Sequence, residues 1–146
     1  MYEPIRTKSV HALNDPPPPG IPHRTREEEL DIQLAGHLTA LLTVTDELRA
    51  HTPSAELDAA AQRIADEVAR LRDGRRPLRA APTTGAGGAT AGPDGRIAKL
   101  HQRAHTLAGR ALVVAGSRED ASGAALAAER LDAHAAELGV THRTTA

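Results

Sequence analysis

From Thr25 onward, apolar residues recur along the chain at helical spacing. Leu30, Leu34, Leu38, Leu41, Val44 and Leu48 step by three and four residues, the period of one face of a helix. Thr25 and Glu28 stand three apart ahead of this run, the spacing of a capping box. Glu27 to Glu29 then fall where a helix dipole favours anions. The pattern predicts a first helix over 25–51. A second follows over 53–73, with Thr52 as its cap and Pro53 in its first turn. Its seam is Leu57, Ala61, Ile64, Val68 and Leu71, and Gly74 follows as a helix-ending residue. A third seam, Ile97, Leu100, Ala104, Leu107, Ala111 and Val114, predicts a helix over 94–116 closed by Gly116. The fourth, Ala124, Ala128, Leu131, Ala135 and Leu138, predicts one over 118–139, with Ser117 as cap, Asp120 three residues on, and Gly139 as terminator. No segment alternates as a strand does.

Three segments fall outside this pattern. Residues 1–24 contain four successive prolines, Pro16 to Pro19, which fix φ and remove backbone donors, so the segment reads as an extended arm. Residues 74–93 are rich in Gly, Ala and Thr and read as a flexible linker. Residues 140–146 read as a disordered tail. The expected fold is therefore an all-α, antiparallel four-helix bundle built from two helical hairpins, since neither hairpin can bury its apolar seams alone.

Composition refines this picture. The chain is 146 residues long and 40% hydrophobic, but 29 of its residues are Ala and it contains no Phe, Trp or Cys. The core should be thin, with close helix approach and little burial per contact. Without cysteine there is no disulfide, thiolate metal site or cysteine nucleophile. No apolar run is longer than that from Ala111 to Ala115, far short of the ~20 residues a membrane span needs, and the first residues carry no leader-like apolar stretch, so a cytoplasmic protein is expected. The net charge is −1, which gives no overall pull toward nucleic acid, and the missing aromatics remove stacking platforms for single strands. Arginine far outnumbers lysine, a bias typical of high-GC coding sequence.

Candidate chemistry centres on histidine. His101 and His105, four residues apart, sit on one helical face and are spaced to chelate one divalent transition metal. In an up-down-up-down bundle, His101 and His134 would lie ~8–10 Å above the lower end, level with Glu67. His101, His105, His134 and Glu67 are thus the candidate metal ligands. In outline, the His-x-x-x-His helix in a four-helix bundle resembles the histidine-lined diiron bundles of the hemerythrin type. That resemblance implies a metal centre inside the bundle, although the second helix holds no histidine.

No phosphate loop and no Gly-x-Ser-x-Gly motif is present, and no other catalytic signature stands out. An interaction or regulatory role without catalysis is the leading expectation, with another protein or a second copy of the chain as partner. By helical-wheel position Ile32, Leu42, Val113 and Leu126 fall off the seams and are the candidate interface. The arginines Arg72, Arg75, Arg76 and Arg79 form a third candidate feature, a weak contact for nucleic-acid phosphates.

Overall fold

The computed structural model describes residues 24–79 and 93–145. The arm over 1–23 and the linker from 80 to 92 lie outside the described residues. Four helices account for nearly all of the rest: α1 (Arg26–His51), α2 (Ala55–Leu71), α3 (Pro93–Arg118) and α4 (Ala121–Thr145). Among the described residues there is no strand, and no helix is long and apolar enough to cross a membrane. The chain folds as the expected four-helix bundle.

The helix ends follow local chemistry. The Thr25 hydroxyl accepts from the Glu28 amide at 3.0 Å and the Glu28 carboxylate accepts from the Thr25 amide at 3.0 Å, completing the anticipated capping box. The other caps differ from expectation by a few residues. Thr52 ends α1, donating its hydroxyl to the Leu48 carbonyl, and Ser54 caps α2 by accepting from the Leu57 amide at 3.1 Å. Asp73, rather than Gly74, is the first left-handed residue after α2 (φ 55°), and the Gly74 amide closes the turn onto the Ala69 carbonyl at 2.7 Å. Neither Gly116 nor Ser117 interrupts α3. The reversal comes at Glu119 (φ 58°), where the Asp120 amide reaches back to the Ala115 carbonyl at 2.9 Å. Asp120 then caps α4 through the Gly123 amide at 2.9 Å. One acid thus ends one helix and starts the next. At the far end α4 passes through Gly139 to Thr145, so the residues read as a tail continue the helix.

The two hairpins are docked in the opposite sense from the up-down-up-down order. Arg118 at the end of α3 meets Asp31 at the start of α1, at 3.0 Å. Arg70 at the end of α2 meets Asp120 at the α3–α4 corner, at 2.7 Å. Near its own start α2 offers Glu56 to Arg130, well along α4. The order is therefore up-down-down-up. Helix α1 packs against α2 and α3, α4 packs mainly against α3, and the α2–α4 side is thin. The crossover from α2 to α3 must climb the length of the bundle. Its described part does so along the first hairpin, where Pro77 is buried, Arg76 reaches Asp66 at 3.3 Å and Arg79 reaches Asp46 at 2.6 Å. The Asp46 carboxyl is partly buried, which by itself would raise its pKa, yet hydrogen bonds from Arg79 and Arg49 hold it below its ordinary value.

The core is unequal in its makeup. Helix α1 contributes Leu34, Leu38, Leu41, Leu42 and Leu48, all at most 1% exposed, and α2 adds Ile64 and Val68. From α3 the fully buried residues are Ala104, Ala108, Ala111 and Ala115. The second hairpin turns its small residues inward. Of its larger ones, Leu107 and Leu126 reach the core, while Ile97, Leu100, Leu112 and Leu131 stay partly buried on the flanks. Consequently Leu42 (1% exposed) and Leu126 (7%) belong to the core rather than to an outer interface, leaving Ile32 and Val113 exposed.

Glu119 gives this architecture a direct test. A left-handed conformation costs a non-glycine residue roughly 1 kcal/mol, and glycine is the usual occupant of such a helix end. Glu119→Gly should therefore raise stability by about 1 kcal/mol in urea unfolding. A lower unfolding midpoint would contradict this geometry for the α3–α4 corner.

Candidate binding pocket between α2, α3 and α4

The inward rotation of α3 and α4 carries polar residues with it. On α4 the buried positions are Gly123, Leu126, Ala127, Arg130 and His134, a helical stripe displaced from the Ala124–Leu138 seam that the sequence suggests. On α3 the buried stripe begins at His101. Two imidazoles and a guanidinium thus meet near the end of the bundle where α2 begins. Arg130 is 0% exposed and His134 1%.

The contacts form a chain. His101 Nδ1 and His134 Nδ1 stand 2.9 Å apart, with ring centroids 5.1 Å apart and planes tilted by 47°. His134 Nε2 faces Arg130 Nη2 at 3.5 Å. A guanidinium can only donate, so His134 Nε2 accepts. The His134 proton is then on Nδ1, donated to His101, and the His101 proton is on Nε2. On its other side Arg130 Nη1 is ion-paired with Glu56 and reaches Glu129 at 3.2 Å. Glu129 is also held by Arg63 at 2.9 Å. The Arg130 Nε–H is buried and has no partner among the described residues.

Both imidazoles are neutral at neutral pH. Burial is the main reason for His134, whose pKa is pushed down to about 3, with the charge of Arg130 adding to the effect. Burial also lowers His101, opposed in part by Glu137. A hollow of about 640 Å³ opens beside this chain, lined by Thr52, Pro53, Ser54, Glu56, Leu57 and Ile97 together with the polar cluster, Ala133 and Glu137. A second hollow of about 790 Å³ lies between the start of α1 and the end of α2, but none of its charged residues is buried.

Of the four candidate metal ligands, the structure joins two. His101 and His134 touch. His105 lies one turn along α3, partly buried, and its charge contributes to lowering His134. Glu67 lies at the opposite end of the bundle, beside Arg70 and Ser122, because the second hairpin runs the other way. Among the described residues no group of three or more His, Asp or Glu is placed to hold a metal ion. The donor set does not fit the diiron arrangement either. The cation that Glu56, Glu129 and His134 surround is the chain's own guanidinium.

Of the arginine run, Arg76 and Arg79 are engaged by bundle carboxylates, and the Arg75 side chain donates to the Arg72 carbonyl at 3.2 Å. Arg130 itself carries no motif. Its only trace in the sequence is position: Leu126, Ala127, Arg130 and His134 share a helical face that the more numerous alanines obscure. No family model matches the chain, and no curated protein or solved structure shows significant similarity to it.

The buried imidazoles make stability depend on pH. In the unfolded chain a histidine takes up a proton near its ordinary value of 6.5, whereas folded His134 resists until about 3. Below 6.5 the unfolded state therefore binds more protons and gains on the folded state. The urea midpoint should fall between about pH 7 and about pH 5, and His134→Gln should flatten that fall. The lowered carboxyls of Asp46 and Asp120 act in a separate, lower window. A wild-type midpoint that stays constant between those two pH values would contradict burial of the imidazole pair.

Proposed function

We propose that the protein is a non-catalytic binding module and that its ligand occupies the pocket between α2, α3 and α4. One observation carries this reading: a fully buried arginine lies at the wall of the hollow with its Nε–H unpartnered. Buried polar groups are almost always satisfied, so an orphan beside a cavity marks a place where a partner group belongs. The hollow's volume is that of small-molecule sites, about 300–1,000 Å³, and its walls combine a few polar groups with apolar surface.

The chemistry of the walls suits holding rather than transformation. The two imidazoles face each other in a neutral pair, and the Ser54 hydroxyl is engaged as a helix cap, so no nucleophile is paired with a base. Exposed Ile32 and Val113 would serve contact with another protein or a second copy of the chain, but no buried polar anchor accompanies them. A cytoplasmic setting accords with this reading.

Ala133 is half-buried at the pocket wall, and Ala133→Trp should fill the hollow without disturbing the core face of α4. Small molecules that raise the wild-type melting temperature should lose that effect in the variant. Ligands that stabilise both proteins equally would place binding elsewhere and overturn this assignment.

A further inference from the structure

We propose that the ligand is a small organic acid bearing a single carboxylate on an apolar body, and that its carboxylate takes the place Glu56 holds on Arg130. This rests on the pocket reading above and adds the chemical class of the ligand.

Two positive features converge on the hollow. The first is Arg130, a permanent cation with 0% exposure, which lines the pocket and whose Nε–H has no partner among the described residues. The second is the start of α2, a helix of 17 residues. Ser54 caps it through its side-chain oxygen, which accepts from the Leu57 amide, and its carbonyl, which accepts from the Asp58 amide. Ala55 and Glu56 supply the first-turn amides, which have no intrahelical acceptor and carry the positive end of the helix dipole.

The anion now at this place belongs to the chain itself. Glu56 lies in the first turn of α2, and its carboxylate grips Arg130 although its side chain is 57% exposed. A buried cation is therefore balanced by a carboxylate that reaches in from solvent. Such a carboxylate can swing outward when another of the same geometry arrives, because both offer a guanidinium the same planar pair of oxygens.

The remaining walls select among anions. Glu129 and Glu137 also line the hollow, and the imidazoles beside them are neutral, so they add no positive charge. Glu129 is shared between Arg130 and Arg63, so a single carboxylate restores the charge that Glu56 withdraws from Arg130. A dianionic phosphate would bring surplus negative charge toward two more carboxylates. Pro53, Leu57, Ile97 and Ala133 give the hollow an apolar side, which suits a hydrocarbon body.

Hexanoate, hexanol and inorganic phosphate are suitable probes, read by thermal unfolding and by the methyl signals of Leu57 and Ile97. In the wild type, hexanoate should shift those methyls, while hexanol, the same body without the acid, does so far more weakly and phosphate does not. Glu56→Gln should be less stable at the start, because it removes the closer of the two carboxylates paired with Arg130. It should also bind hexanoate about tenfold more tightly than the wild type, since the internal competitor is gone. Hexanol matching hexanoate, or phosphate shifting the methyls as strongly, would overturn the carboxylate assignment in the wild type alone, whether or not Glu56→Gln folds. So would equal affinity of the wild type and Glu56→Gln. If other ligands depend on Ala133 while hexanoate does not bind, the carboxylate inference fails and the pocket reading stands. If no ligand depends on Ala133, the pocket reading fails as well.

Discussion

The arrangement depends on the packing of a leucine-faced helix against an alanine-faced one. Helix α1 buries Leu34, Leu38, Leu41, Leu42 and Leu48, while α3 meets it with Ala104, Ala108, Ala111 and Ala115. Large side chains on one helix fill the space that small ones leave on the other, and the backbones can approach closely. Each fully buried leucine contributes about 1.5–3 kcal/mol, so α1 supplies most of the driving force for the second hairpin to dock. A chain without phenylalanine or tryptophan in its core can be stable this way, provided one helix is rich enough to serve two neighbours. Gly123 belongs to the same scheme: a Cβ placed there would stand 3.1 Å from the Leu34 side chain, so α4 starts close against α1.

That packing explains which parts of the structure were legible in the sequence. The first hairpin was readable because leucine, isoleucine and valine occupy its seams and alanine fills in. In the second hairpin alanine lies on every side, so the few larger residues set the apparent seam. Leu131 and Leu138 drew it to one face of α4, whereas the core takes the face bearing Leu126 and Ala127. The rotation buries Arg130 and His134, and it brings in His101, which is not among the seam residues Ile97 to Val114 of α3. Arg130, the centre of the candidate site, was invisible to any reading that assigns arginine to the solvent. The histidine pair across α3 and α4 was readable; the fourth ligand was not, because spacing along the chain says nothing about which way the second hairpin runs.

The direction of that hairpin follows from the charges at the bundle's ends. Asp31 faces Arg118, and Asp120 faces Arg70. In the reversed order the end of α3 would lie beside the end of α1, and both pairs would be broken. Pairs whose arginines stay solvent-exposed contribute modestly each, so they act more as selectors between two dockings of similar core burial than as sources of stability. The up-down-down-up order requires a long crossover, and the segment from Arg72 to Arg79 begins it as a strap along α1 and α2, pinned at Asp66 and Asp46. The arginine run thus gains a structural explanation: its charges match carboxylates spaced up the first hairpin.

The same reasoning makes the Arg130 cluster hard to explain as structure alone. Replacing a buried ionic group with an apolar one of similar volume is often neutral or stabilising, and an alanine-faced bundle with room at its thin α2–α4 side could accommodate a leucine or methionine there. Instead the chain places a guanidinium, leaves one of its protons without an acceptor among the described residues, and backs it with two imidazoles kept neutral by burial. Its closest counter-ion is a half-exposed glutamate on α2, a helix that touches α4 only lightly. A charge held for stability would be expected to have a partner as buried as itself. A charge held for recognition needs a partner that can leave, and Glu56 at the start of α2 has that freedom.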